Sequence, residues 1–148
     1  MRYTNRWMAL VLIIAGPHLL ACAQPSAEEE HESKAARVEP IKGTDLSRVI
    51  LSEEAAKRIA LQTVRVQTEQ VGGTQRMVIP YAAVLYDANG DAWAYTSPQP
   101  LTFVRHRITI DSIEGDLAIL SNGPPIGTPV VTVGAAELYG AEFEFEEE

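Results

Sequence analysis

The sequence predicts an all-β domain, a small barrel or roll of about six to seven short strands with one short helix. Two observations carry that prediction. β-Branched and aromatic runs recur through the second half of the chain, and turn residues interrupt them every 8–12 positions. A third observation bounds it. The 148 residues include a leading segment and polar stretches with no apolar period, so the ordered part is about one modest domain.

The helix comes first. Ser52 can accept from backbone N–H groups as an N-cap, Glu53 and Glu54 favour the positive end of the dipole, and Lys57-Arg58 the other end. This predicts a helix over residues 53–59. From Leu61 the chain runs Gln-Thr-Val-Arg-Val-Gln-Thr, whose β-branched enrichment and near-alternation predict a strand that Gly72-Gly73 interrupts. Arg76-Met77-Val78-Ile79 is a strand ending at Pro80, and residues 82–86 are another. Asp87-Ala88-Asn89-Gly90-Asp91 follows, and Asn89-Gly90 between apolar runs predicts a two-residue hairpin turn with positive φ at both positions. Residues 92–96 return, residues 103–110 form a long strand, and residues 117–120 answer it across the turn at Gly115. Asn122-Gly123-Pro124-Pro125-Ile126-Gly127 is a rigid loop, and residues 129–133 make the last strand.

The first residues read as an address. Arg2 and Arg6 precede an apolar stretch of about fifteen residues that closes on small residues, the pattern of a secretory signal peptide. The stretch falls short of the ~20 residues a membrane-spanning helix needs. Leu19-Leu20-Ala21-Cys22 resembles the lipobox of bacterial lipoproteins, in which cleavage falls between Ala21 and Cys22 and the cysteine thiol carries a diacylglyceryl group. The chain has a single cysteine, so an internal disulfide and a cysteine-only zinc site are both excluded. The expected domains are a signal peptide over 1–21, the lipidated cysteine and a disordered linker over 22–45, the β domain over 46–141 and an acidic tail over 142–148.

Charge and motifs exclude several functions. The net charge of −8 lies mainly in the linker and in the five glutamates of residues 142–148. A nucleic-acid partner would need a basic surface instead. No nucleophile elbow, phosphate-binding loop, dinucleotide fingerprint or paired metal histidines occur. His106 stands between Arg105 and Arg107 with no orienting carboxylate in the sequence, so it reads as a strand histidine and not a general base. His31, among Glu29, Glu30 and Glu32, reads as solvated, and the Asp87 loop lacks the late glutamate of a calcium loop. No catalytic residue, metal site or cofactor is expected. The aromatics Tyr81, Tyr86, Trp93, Tyr95 and Phe103 read as cross-strand packing, with a partner surface as the alternative.

Three stretches carry a family resemblance. Val78-Ile79-Pro80-Tyr81-Ala82-Ala83-Val84-Leu85-Tyr86, followed by Gly90 and Ala92-Trp93-Ala94-Tyr95, resembles the "I-P-x-x-A-V … G … V-x-V" stretch of periplasmic adaptor subunits, the membrane fusion proteins of RND-type efflux pumps. Residues 121–138, from Ser121-Asn122-Gly123 to Ala136-Glu137-Leu138, resemble the "GL-x-x-G-x-x-V-V-x-x-G-A-x-x-L" close of the same family. Residues 51–64 resemble the segment leading into its first strands. Such adaptors insert a lipoyl-like domain and a long helical hairpin before the Ile-Pro stretch. Here residues 68–74 span that distance, with Gly72-Gly73 as the joint.

The resemblance therefore implies an adaptor-like, membrane-proximal β domain without the parts that reach an outer-membrane channel. The lipobox resemblance implies an envelope protein lipid-anchored through Cys22 on the extracytoplasmic side, which fits many adaptors. The partner would be an inner-membrane efflux transporter or another envelope protein, with oligomerisation left open. The alternative is a periplasmic lipoprotein that binds a small ligand or metal ion.

Overall fold

The structure, a computed structural model, describes residues 35–144. Eleven strands form two sheets, so the all-β class holds, with more strands than expected and two α-helices in place of one.

The chain opens with β1 (Ala36–Pro40), paired antiparallel to β2 (Ser47–Leu51) from Ala36↔Leu51 to Pro40↔Ser47. Both lie where a linker or a featureless entry was expected, so the ordered domain begins before residue 46. Ala36 and Val38 alternate toward the core, and Glu39 pairs with Arg37 at 3.0 Å and with Arg48 at 3.3 Å. Two small apolar residues are too few to mark a strand in the sequence. The backbone of β2 supplies the missing partner.

Helix α1 (Glu53–Arg58) forms as expected, with the Ala55 N–H donating to the Ser52 hydroxyl at 3.1 Å. Its buried face presents Ala55, with Ile59 packed just beyond. The alternating stretch that follows is two strands rather than one: β3 (Gln62–Arg65) and β4 (Gln67–Val71) belong to different sheets. The chain crosses at Val66, which is 1% exposed. The Val66 N–H donates to the Thr128 carbonyl at 2.9 Å, and its own carbonyl accepts from the Gly127 N–H at 2.8 Å. The Gly127 loop thus fixes the crossing point.

β4 returns directly as β5 (Thr74–Pro80), with Val71 opposite Thr74. The joining pair Gly72 and Gly73 have φ of +57° and +83°, the two positive values a two-residue turn requires. A short 3₁₀ turn (Tyr81–Ala83) and the two-residue β6 (Leu85–Tyr86) replace the strand expected over residues 82–86. β6 pairs with β7 (Ala92–Gln99), and β7 pairs along its other edge with β8 (Thr102–Arg107).

The long strand expected over residues 103–110 is also divided. β8 ends and β9 (Thr109–Glu114) begins on either side of Ile108, which is 3% exposed and donates its N–H to the Ala92 carbonyl. β10 (Leu117–Asn122) and β11 (Pro129–Val133) follow as expected. The last element, α2 (Ala135–Glu144), was not anticipated and takes up the first residues assigned to an acidic tail.

The larger sheet runs β1-β2-β8-β7-β11-β3, with β6 beside β7, and the smaller runs β4-β5-β10-β9. Successive residues of the larger sheet enter different cores. Tyr95, Phe103 and Val131 pack with Val49, Leu51, Ala55 and Leu138 beneath the helices. Ala94 and Val130 pack with Val66, Ile79, Ala83, Ile108 and Ala118 against the smaller sheet. Helices, large sheet and small sheet are therefore three layers, and two-sided burial explains the near-continuous apolar runs of β7 and β11.

The Asp87–Gly90 turn differs from the expected one. The Gly90 N–H donates to the Asp87 carbonyl at 3.0 Å and the Asp87 N–H to the Asp91 carbonyl at 3.0 Å. Gly90 has φ +83°, whereas Asn89 is not among the residues with positive φ. One left-handed residue after a type I turn gives the bulged, longer hairpin. The Asp87 carboxylate selects it by accepting from the N–H groups of Asn89 and Asp91, both at 2.9 Å. A Cβ at Gly90 would meet nothing within 4 Å, so Gly90→Val is strained only through its backbone. The expected cost is about 1–2 kcal/mol, seen as a lower Tm, and an unchanged Tm would contradict this turn.

Candidate functional site

A cluster of charged and aromatic side chains lies where α2 covers the large sheet. β7 and β8 pair Tyr95 with Arg105 and Trp93 with Arg107, so these four side chains share one face. Glu142, in the last turn of α2, is 0% exposed. Its Oε1 accepts from Arg105 Nε at 2.9 Å and from the Ser47 N–H at 3.4 Å, while Oε2 accepts from the Tyr95 hydroxyl. Arg105 also donates to the Asp45 carbonyl at 3.4 Å. Its guanidinium sits between two rings, 4.7 Å from the centre of Trp93 and 4.9 Å from that of Phe143. Among the described residues no buried side-chain polar atom lacks a hydrogen bond.

Burial pushes the Tyr95 phenol well above its ordinary value, and its hydrogen bond to Glu142 and the adjacent negative charge push it the same way. Tyr95 is therefore held as a donor. The arrangement is a satisfied ionic clamp. A carboxylate with both oxygens engaged and no exposed surface reaches no substrate, so the cluster holds α2 in place and performs no proton transfer. In the sequence Glu142 belongs to the expected acidic tail over residues 142–148. Its partner Arg105 is 37 residues away, and no local pattern announces such a pairing.

The hairpin end is a second polar cluster. Asp87 Oδ2 accepts from the Trp93 indole N–H at 3.1 Å, and Asp91 pairs with Arg107. Partial desolvation raises the Asp87 carboxyl. The hydrogen bonds from Trp93, Asp91 and Asn89, with the charge of Arg107, outweigh it and leave the group below its usual 3.8. A depressed folded-state value means that this stabilisation is present above the unfolded value and lost as pH falls through the folded one. Acid unfolding of the natural chain should thus steepen below pH 3.8, and Asp87→Asn should flatten the profile there. An identical acid limb in both proteins would contradict the assignment.

Of the residues singled out in the sequence, Ala21, Cys22 and His31 lie outside the described residues. Asn89 and Gly90 form the hairpin end described above. His106 pairs with Ala94 on the face opposite Arg105 and Arg107 and is half-buried. Tyr95 and Phe103 are core, but Tyr81 and Tyr86 are 41% and 51% exposed. Partial burial, followed by the hydrogen bond to Tyr81, raises the Tyr86 hydroxyl. These two tyrosines form an exposed aromatic pair beside the 3₁₀ turn. An open groove of about 600 Å³ lies between α1 and the β7–β8 turn, floored by Ala56, Ala60, Leu61, Pro100 and Leu101. Among the described residues no three His, Cys, Asp or Glu side chains converge as a metal site, and no helix is long and apolar enough to cross a membrane.

No protein-family model matches the chain, and no curated protein matches it. Among solved structures, it is similar to the NMR structure of a 180-residue piece of SilB from Cupriavidus metallidurans CH34, which encompasses the N-terminal metal-binding site and membrane-proximal domain of that protein. The TM-score is 0.43 at 15% identity, covering 68% of this chain and 65% of the other, so this chain spans less than two thirds of that chain's length.

Proposed function

We propose that the chain is a lipid-anchored, extracytoplasmic adaptor-like protein that binds an RND-type efflux transporter, supports transport across the membrane and performs no catalysis itself. The observation that carries this reading is the convergence of two of the stretches that resemble periplasmic adaptors. Ile79 and Ala83 come from the Ile-Pro stretch and Val130 from the closing stretch, and all three pack in one core between the sheets. Segments far apart in sequence thus form one unit.

The Gly72-Gly73 turn supports the shortened form of the adaptor. It joins β4 to β5 in perfect register at the point where full adaptors carry their lipoyl domain and helical hairpin. What is left is a binding domain without a reach toward a second membrane. The sequence around Cys22 supplies the anchor: each acyl methylene buried in lipid contributes about 0.8 kcal/mol, so a multiply acylated cysteine holds durably. The exposed Tyr81–Tyr86 pair is the surface we assign to the partner, since tyrosines are favoured at the centre of protein interfaces.

Photo-crosslinking from position 86 in intact cells tests the assignment. The expected product is a covalent adduct with an integral membrane transporter. An adduct formed only with soluble proteins, or none, overturns it.

A further inference from the structure

The surface around the 3₁₀ turn combines exposed apolar side chains with negative charge. Tyr81 and Tyr86 stand half out of the protein, and Ile113 is 46% exposed. Ile113 shares a register row with Ala118 and Ile79, and Ile79 lies two residues before Tyr81. The Tyr81 N–H donates to the Asp116 carbonyl at 2.7 Å, which seats the turn between β9 and β10 against the tyrosine. Segments distant in sequence thus converge on one small surface.

Its charge has one sign. Glu114 and Asp116 flank that turn, both are exposed, and among the described residues neither carboxylate forms a salt bridge. The cations of the nearby strands are engaged elsewhere: Arg76 with Asp111, Arg107 with Asp91 and Arg105 with Glu142. Tyr86 also turns away from the last two. Its neighbour Leu85 packs with the core under the helices, on the face of Trp93 and Arg107, so Tyr86 takes the opposite face. Ring faces attract cations, and a carboxylate beside them adds a directed acceptor.

We infer that this surface receives an arginine side chain of a partner protein, stacked on the tyrosine rings and hydrogen-bonded to the Asp116 carboxylate. Glu114 adds attraction, and Ile113 offers apolar contact to the residues beside the arginine. Arginine is specified over lysine because its planar fork binds a carboxylate edge-on while its face lies on a ring. A lysine ammonium is a strongly hydrated point charge and gains less from either contact. The inference rests on the assignment of the Tyr81–Tyr86 pair to the partner, and it adds the chemistry that partner must carry.

The first test needs no transporter. The full chain is titrated, with NMR as readout, with the peptide acetyl-Leu-Arg-Leu-amide and with its lysine and glutamate analogues. The arginine peptide should shift the amides of Tyr81, Tyr86 and Asp116, the lysine peptide should bind more weakly, and the glutamate peptide should shift none. Asp116→Asn removes the charge and leaves the backbone carbonyl that Tyr81 uses, so the fold is kept. It should weaken the arginine peptide at least about tenfold. Unchanged affinity in that variant, equal binding of the three peptides, or tighter binding of tetramethylammonium would overturn the inference. The second test places a photo-crosslinker at Ala82, exposed between the two tyrosines, in intact cells. A transporter adduct whose crosslinked peptide carries an arginine, and whose yield collapses in Asp116→Asn, is the expected result. A transporter adduct without arginine, or one indifferent to Asp116→Asn, overturns the inference and leaves the partner assignment standing. Selective binding of the arginine peptide with no transporter adduct sustains the site and overturns only the choice of partner.

Discussion

Replacing Cys22 with serine should release the protein from the membrane, a change of several orders of magnitude in partition. A single acyl chain already gives a membrane association constant of about 10⁴ M⁻¹, and additional chains multiply it. Serine has no thiol to acylate, so all of that attraction is lost, together with recognition at the Ala21–Cys22 cleavage point. The measurement is metabolic labelling with a radioactive fatty acid, followed by membrane fractionation. Label absent and protein soluble is the expected result. An uncut variant still in the membrane would identify residues 7–21 as a spanning helix and remove the lipid anchor from the account.

Arg105→Ala is the second large effect. With α2 docked, the change leaves the Glu142 carboxylate buried without its cation, a situation that costs about 3–5 kcal/mol. It also removes the guanidinium stacked between Trp93 and Phe143. The chain can relieve the uncompensated charge by letting α2 go. Urea unfolding should therefore show a large loss of stability, and circular dichroism a loss of helix with the strand signal retained. A cost below about 1 kcal/mol, the size seen for exposed pairs, would mean that the clamp is solvated.

The two predictions concern the ends of the chain, and the ends are where sequence and structure diverge. Helix α1 was legible because its determinants are local: a serine cap, acids at the start and bases at the end within seven residues. β5, β7, β10 and β11 were legible because β-branched runs bounded by turn residues are also local. β1 and α2 were not. Ala36 and Val38 mark a strand only in the presence of β2, and Glu142 becomes a core residue only because Arg105 and Tyr95 meet it.

Periodicity misled in one consistent way. Residues 61–71 alternate only approximately, and residues 103–110 form a single run, yet each stretch crosses from one sheet to the other at one buried residue, Val66 or Ile108. In the first stretch Val66 is the one buried residue between exposed β3 and β4, and both sheets share the inner core it enters, so the crossing leaves no mark on the local pattern. The crossing is fixed by backbone hydrogen bonds to Thr128 and Gly127 at one site and to Ala92 at the other. For the hairpin, the Asn-Gly pair located the turn, while the Asp87 carboxylate determined its type. The candidate site was the least legible part, since its three charged or hydroxylic side chains are separated by long stretches of sequence.

The central claim is that this domain binds a membrane transporter from the extracytoplasmic face. Affinity capture of the tagged full chain from gently solubilised membranes, followed by quantitative mass spectrometry, tests it most directly. Strong enrichment of an RND-type transporter over a capture made with an unrelated lipoprotein is the expected result. Equal recovery of transporters in the two captures would contradict it.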